Sequence, residues 1–510
     1  MKIGGFMKCF KLCFLFILLI PVLLFAEDEV ETQKNAAMSG SVGTMLVGGK
    51  MYTQIRLMPE LRFGKIGIGF DIDLLIDGEG NPRKEDWDEW QDYVNKVLYI
   101  RYGQRGDTFF GKIGSFSSYS LGRGLVMRDY NNMLRYPEYR QIGLQLGGRL
   151  PVMNMTIEGF SANITENDIL AARATIQPLP EALPILNNMT FGATVAHDRN
   201  QINGLIDSDD DGYADDFDDY PYDDNWYNEV DYNMEEYWVL YQEWVVFQDS
   251  TAIPSYNDFE TWFSQSDFID GKRNPSFSEL GKAPITVIGV DYELPLITTD
   301  LFKLSNYGEI AQIIDHKMGF IFPGFYSKFL IFHANLEFRY YQEDFMPAFF
   351  DQLYDEKRVT TFAIGDSTSL FVKEDLLAAR TEARGWYGSL TSNLFNFLIL
   401  TVSYEDMYGE NDVHHRSIWG RAGLQQKIIP QIVKAEINYY QTGFDKLRYF
   451  KTENAQVDGA LGYALAGSTT LVAKYSERYR DWNGDGKISG KHNDKPETIK
   501  TFGMGVEFRF

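Results

Sequence analysis

Cysteine is almost missing from this 510-residue chain: there are two, Cys9 and Cys13, both within the first 13 residues. A fold stapled by disulfides needs cysteines along its whole length, so that class is excluded. Long apolar runs are equally scarce. A helical membrane protein needs several runs of roughly 18 or more residues, and only the N-terminus has an extended one. Positive charge is in deficit, with 48 Lys+Arg against 72 Asp+Glu and a formal net charge of −24. An acidic surface repels phosphate, so no nucleic-acid partner is expected. What the chain has in excess is aromatic side chains, at 15% of residues.

At the N-terminus, Lys2, Lys8 and Lys11 lead into the uncharged stretch from Cys13 to Ala26, broken by Pro21. The acidic Glu27-Asp28-Glu29 follows. This order is that of a secretory signal peptide ending at Ala26. Residues 1–26 are read as the signal and 27–35 as a short lead-in. A lipid-bearing cysteine would follow the apolar run, whereas Cys13 precedes it. Cleavage removes both cysteines and three lysines, leaving a net charge of −27.

From residue 36 onward, strict alternation dominates. Phe502, Met504, Val506, Phe508 and Phe510 share one face, opposite Gly503, Gly505, Glu507 and Arg509. Phe332, Ala334, Leu336, Phe338 and Tyr340 oppose His333, Asn335, Glu337 and Arg339. Ile66, Ile68, Phe70, Ile72 and Leu74 oppose Gly67, Gly69, Asp71 and Asp73, and Leu398–Glu405 repeats the rhythm. Period two means strands with one apolar and one polar face. A face with ionised groups at successive positions is no dry core.

Strand length, the signal peptide and the ending Val506-Glu507-Phe508-Arg509-Phe510 together resemble the outer-membrane β-barrels of Gram-negative bacteria. The Phe/Leu-rich signal, with Leu24 near the cleavage point, also resembles those of spirochaete exports. The resemblance implies an all-β fold: a transmembrane antiparallel barrel over 36–510, of about 20 strands, with 16–20 compatible. Its apolar face would meet outer-membrane lipid and its polar face would line the lumen. It also implies that Phe510 is the signal read by the barrel-assembly machinery. Strands are expected near 36–47, 50–60, 61–75, 93–103, 107–115, 139–149, 151–163, 167–177, 187–198 and 284–293. Others are expected near 303–314, 316–322, 327–342, 384–394, 396–405, 415–426, 430–442, 454–466, 468–480 and 499–510. The long connectors 76–92, 116–138, 199–283, 343–383, 406–414 and 481–498 then fall outside, and short turns near 104–106, 149–151 and 467 inside, as these barrels require.

Between Arg199 and Lys272 there is no Lys, Arg or His. Residues 201–271 carry 20 Asp+Glu and 17 aromatics. Disordered acidic segments are poor in aromatics, so 199–283 is expected to be a folded external module, with helices over 232–248 and around Phe259–Phe263. Inside it, Asp207–Asp218 reads DSDDDGYADDFD, which resembles the calcium loops of EF-hand and thrombospondin-type repeats. Ca²⁺ takes six to eight oxygens and the loop's glycine permits a sharp turn. The resemblance implies side-chain ligands at Asp207, Asp209 and Asp211, the Tyr213 carbonyl, Asp215 directly or through water, and Asp218 closing the site. Asp218 stands where Glu is usual. A second partial match offers Asp481, Asn483, Asp485 and the Lys487 carbonyl, with His492 at the closing position. Ca²⁺ is thus the expected cofactor.

Residues 115–140 carry Arg123, Arg128, Arg135 and Arg140 against only Asp129 and Glu138. Folded into the barrel mouth, these guanidinium groups would face lumen acids such as Asp71 and Asp73. Opposed charges across a constriction select solutes. His333, Glu337 and Arg339 are further pore-lining candidates. The six histidines come with no nucleophile motif, and His414-His415 is expected in a short external loop. The chain is therefore read as a non-enzyme. Its expected role is a porin-like channel or transporter for small solutes. The alternative is a surface protein that binds a host or cell-surface ligand through the acidic aromatic loop, and an outer-membrane hydrolase ranks third.

Overall fold

The computed structural model describes residues 36–47, 50–87, 93, 96–135, 140–179, 186–249, 251–270, 272–364, 367–394, 397–409, 414–424, 431–444, 450–452, 454–466, 469–481, 488, 491–492 and 495–509. The expected signal peptide, the lead-in up to residue 35 and Phe510 lie outside them.

Alternating strands with no helical period can satisfy their backbone groups only by pairing with one another, and here the pairing closes into a ring. The first strand, Ala36–Val47, pairs with Lys50–Phe63 on one side and with the last strand, Thr498–Arg509, on the other. Every neighbour is antiparallel and follows in sequence order around the wall. The segments Ile66–Phe70 and Ile72–Ile76 pair in succession with the same strand, so they are halves of one strand interrupted at Asp71. Counted so, the barrel has 20 strands. A closed barrel leaves no unpaired edge. No helix among the described residues is long and apolar enough to cross a membrane.

Connector lengths separate the two ends. At the end that carries the Phe63/Ile66, Thr298/Phe302 and Phe329/Phe332 turns, connectors are short. The other end carries 77–96, 115–142, 199–284, 342–382 and 480–497. This is the expected partition of short turns and long loops. His414 and His415 depart from expectation: they open the strand His414–Leu424, because His414 Nδ1 pairs with Asp406 on the adjacent strand at 2.8 Å.

Outward side chains form an apolar band, with Val290 57%, Leu336 55%, Ile437 53% and Phe502 66% exposed. Inward, the wall is not uniformly polar. Ile285, Val287, Ala311, Ile313 and Ile321 are buried in a core inside the lumen. Phe116, Tyr119, Leu121, Leu125, Val126, Met127 and Tyr130 of one long connector belong to the same core, as do Phe345, Met346, Phe349, Phe350, Tyr354 and Leu377 of another. Two long loops therefore fold inward as a plug.

The acidic connector forms a helical module. Its α-helices are Glu229–Tyr232, Met234–Gln248, Tyr256–Gln265, Asp267–Asp270 and, past the module's core, Phe277–Leu280. The first four close on Val230, Tyr241, Phe259, Phe263 and Ile269, so the aromatic excess supplies a core of its own.

Candidate functional site

The plug begins as a hairpin, Tyr119–Leu121 paired with Met127–Tyr130. Its tip is Leu121-Gly122-Arg123-Gly124-Leu125. Gly122 and Gly124 have φ of +69° and +97°, the left-handed region where a Cβ is strained. The tip is clamped by a carboxylate of the wall. Glu309, 1% exposed, accepts hydrogen bonds from the backbone N–H groups of Arg123 at 3.1 Å and Leu125 at 2.9 Å. Behind the tip, Val126 packs against Gly289, where the missing side chain leaves it room. Tyr119 stacks on Phe160 at 4.0 Å, and its hydroxyl donates to Glu158 at 2.8 Å. At the hairpin base, Asn132 accepts from the Phe116 N–H at 2.7 Å and donates to the Ala162 carbonyl at 2.9 Å.

The second inward loop lies alongside. Ala348 N–H donates to the Leu125 carbonyl at 2.8 Å, and Arg128 N–H to the Phe350 carbonyl at 3.0 Å. Its helix Tyr354–Lys357 leads to Arg358, which is buried with Asp168 and Asp198. The guanidinium reaches Asp168 at 2.5 Å, Asp198 at 3.3 Å and the Asn203 carbonyl at 2.9 Å. Tyr354 donates to Asp198 at 2.9 Å and Tyr130 to Asp355 at 2.8 Å. Buried Lys373 donates to the Phe349 carbonyl at 2.7 Å and to Asp351 at 3.0 Å. This latch joins the plug to two strands of the wall. A buried ion group of this kind holds a geometry more surely than it adds stability.

Burial pushes the Asp355 carboxyl up to about 6, against the pull of Arg358. A carboxyl freed from the plug would titrate near 4, so the docked form holds its proton more tightly. Docking is therefore strongest below about pH 4 and weakens as pH rises from about 4 to 6. The protection factors of residues 345–358, with the intrinsic pH dependence of amide exchange divided out, should fall over that interval in the wild type and lose the trend in Asp355→Asn. A trend of equal size in the variant would refute this assignment.

The proposed facing of connector arginines to Asp71 and Asp73 is corrected. Asp71 pairs with Arg56 at 2.5 Å and Asp73 accepts from Gln54 at 2.6 Å, both on the adjacent strand. Neighbours across the ladder are closer than a loop can come. Arg123 instead pairs with Glu293 and lies over the Tyr307 ring at 4.6 Å. Arg128 donates to the Arg123 carbonyl at 3.1 Å. Arg135 bonds the Gly204 and Asp355 carbonyls at 2.5 and 3.0 Å, so both build the plug. Glu337 and Arg339 pair at 2.5 Å, with Tyr307 donating to Glu337 at 2.7 Å and Arg339 reaching Glu405 at 3.1 Å. His333 bonds the Tyr326 hydroxyl at 2.9 Å.

The plug leans on one sector of the wall. Among the described residues, none of its core comes from strands before residue 114 or after residue 408. In the remaining sector, Lys434, Glu436, Asn438, Asp458, Lys474, Ser476 and Thr501 line a recess of about 520 Å³. Opposite charges alternate there, with Arg421–Glu436 at 3.0 Å, Lys434–Glu436 at 3.1 Å and Arg478–Asp458 at 3.1 Å. These groups meet water: the Arg421 and Arg478 side chains are 48% and 46% exposed, against 2% for Arg358. Overall composition could not reveal this asymmetry, because it does not say which residues of a strand face the lumen.

At the acidic loop, one carboxylate oxygen each from Asp207, Asp209 and Asp211 lies within 4.8 Å of the others. Gly212, at φ +97°, turns the loop, and its N–H donates to Asp207 at 3.0 Å. Tyr213 donates its N–H to Asp211 at 2.9 Å and stacks on Tyr227 at 4.0 Å. Asp218 is 9% exposed and accepts from the Tyr220 N–H at 2.7 Å. Asp215 bonds back to the start of the loop. Its carboxylate turns back to accept from the N–H and hydroxyl of Ser208 at 2.8 and 2.7 Å, two donors that satisfy it without an ion. In the second candidate loop Asp481 is described, while Asn483, Asp485 and Lys487 lie outside the described residues.

No family model matches the sequence, and no curated protein matches it. Similar solved structures include the siderophore receptor PirA from Acinetobacter baumannii, at 8% identity and TM-score 0.38, covering 93% of this chain and 80% of that one. The FrpB iron transporter from Neisseria meningitidis has 8% identity and TM-score 0.38, covering 96% and 83%. A variant of the ferric enterobactin receptor PfeA from Pseudomonas aeruginosa, in complex with enterobactin, has 9% identity and TM-score 0.40, covering 94% and 74%.

Proposed function

We propose that this protein is an outer-membrane channel or transporter that passes small polar solutes along the water-exposed sector of its wall, with the plug setting the bore. The observation that supports this most is the asymmetry of the lumen. The large apolar core of the lumen lies on the plugged side, while the opposite wall keeps charges of both signs in water. Solutes that carry both charges, or many hydroxyl groups, match such a lining; bulky apolar ones do not. The closed ring of strands and its apolar outer band support placement in an outer membrane. Outer-membrane lipid and the assembly machinery are then its constitutive partners.

Planar-bilayer recording of the full-length folded protein tests the reading. Discrete conductance is expected, and Glu436→Gln should shift selectivity towards anions, because it removes one lumen carboxylate. Absence of conductance, with and without Ca²⁺, would overturn it.

A second reading, recognition of a cell-surface ligand, is favoured by one observation. The helix Met234–Gln248 leaves Leu240 50%, Trp244 51% and Phe247 86% exposed, and large aromatics are favoured anchors at interfaces. Deleting 201–271 separates the readings: a channel keeps its conductance, while a recognition protein loses its ligand.

A further inference from the structure

The strongest unexplained feature outside the lumen is a set of orphaned oxygens at the root of the acidic module. Asp207 Oδ1, Asp209 Oδ2, Asp211 Oδ2 and Asp218 Oδ2 are all buried from solvent, and none has a hydrogen-bond partner. An unsatisfied buried carboxylate oxygen is costly. Four lie within twelve residues, and the carboxylates of Asp207, Asp209 and Asp211 each bring one oxygen within 4.8 Å of the others, so mutual repulsion compounds the cost. Their second oxygens are all used. They accept from the N–H groups of Gly212, Asp211, Tyr213 and Tyr220. The backbone thus spends one oxygen of each carboxylate on shaping the loop and leaves the other bare. Asp218 is the telling member, because it is more than nine-tenths buried and comes from a separate turn. Burial, and then the charges of Asp211 and Asp209, raise its carboxyl. Asp211 is raised in the same way, by burial and by Asp209 and Asp207.

We propose that Asp207, Asp209, Asp211 and Asp218 hold one Ca²⁺ ion, with Asp215 serving the loop and not the metal. A hard cation that takes six to eight oxygens suits an all-carboxylate set, and water or backbone carbonyls complete its shell. The ion also fixes a junction. Thr361 of the hairpin Val359–Ile364/Ser367–Val372 donates to Asp216 at 2.9 Å. Ile202, just before the loop, packs with Val359 and Val372 of that hairpin. The metal therefore secures the acidic module to the loop that carries Arg358. This inference stands whether or not the barrel conducts.

The test uses the full-length protein folded in detergent, titrated with Ca²⁺ alone by calorimetry. Terbium emission sensitised by Tyr213 and Tyr227 reports the same site. Affinity is expected to fall at least tenfold in Asp209→Asn and in Asp218→Asn and to stay unchanged in Asp485→Asn, which removes a candidate ligand of the other loop. Binding should also weaken in acid, because protons compete with Ca²⁺ for the same carboxylate oxygens. Proteolysis of wild-type protein within 199–283 should slow several-fold on adding Ca²⁺, a readout that needs no variant. Equal affinity in Asp207→Asn/Asp209→Asn/Asp211→Asn and wild type would overturn the proposal. So would displacement of Ca²⁺ by an equal concentration of Mg²⁺, the mark of a diffuse acidic surface, or identical proteolysis with and without Ca²⁺.

Discussion

Arg358→Ala should loosen the plug and raise single-channel conductance several-fold. The guanidinium joins Asp168 and Asp198, both at most 2% exposed. Removing it leaves two carboxylates buried beside one another. Breaking a buried ion pair from one side costs about 3–5 kcal/mol, mostly the penalty of the stranded partner. That cost falls on the docked plug alone, since an undocked loop exposes both acids to water. Arg358→Lys should recover part of the loss, because a point charge can meet one carboxylate but cannot also reach the Asn203 carbonyl in the guanidinium's forked geometry. Thermal unfolding watched alongside conductance separates release of the plug from collapse of the barrel. The strands should hold their far-UV signal to the same temperature while residues 342–382 become open to protease. Unchanged conductance together with unchanged proteolysis would show that the latch does not hold the plug.

How much of this was legible in the chain depends on distance along it. The barrel was, because period-two alternation is local and recurs in strand after strand of the 20. The turn of the Asp207–Asp218 loop was as well, since Gly212 and the aspartates that shape it lie within twelve residues, while the bond of Asp215 back to Ser208 is a choice of rotamer that no spacing shows. The latch could not be read. Asp168, Asp198 and Arg358 are separated by up to 190 residues, and each alone is an unremarkable charge. The plug left a signal that alternation concealed. In Ile285-Thr286-Val287-Ile288-Gly289-Val290, apolar groups fall on both faces. Ile288 and Val290 look outward, while Ile285 and Val287 are buried inside. A strand with two apolar faces needs apolar cover on both sides, and in a barrel the inner cover has to be a loop. Likewise, Leu121-Gly122-Arg123-Gly124-Leu125-Val126-Met127 reads as an apolar hairpin turned on glycines, once the arginines are seen as its fastenings.

Glu309→Ala should free the other end of the plug. Glu309 accepts from two backbone N–H groups at the hairpin tip, and hydrogen bonds to a charged acceptor are worth about 1.5–3 kcal/mol each. Alanine leaves the N–H groups of Arg123 and Leu125 without the buried acceptor they now meet, beside a wall where Arg173 is already paired with Asp291. The Arg123–Glu293 pair survives, so the tip is released from its clamp but stays tethered. The expected signature is conductance that switches between levels, distinct from the steady increase expected of Arg358→Ala. Glu309→Gln keeps one acceptor oxygen and should fall between wild type and Ala. The two loops touch through the Leu125–Ala348 and Arg128–Phe350 bonds, so latch and clamp hold a shared body. In the double variant Arg358→Ala/Glu309→Ala, the effects should then differ from additivity by about 0.5–3 kcal/mol, the range for sites in one network. Strict additivity in conductance and unfolding free energy would mean that the hairpin and the second loop dock as independent pieces, and that the plug is two gates and not one.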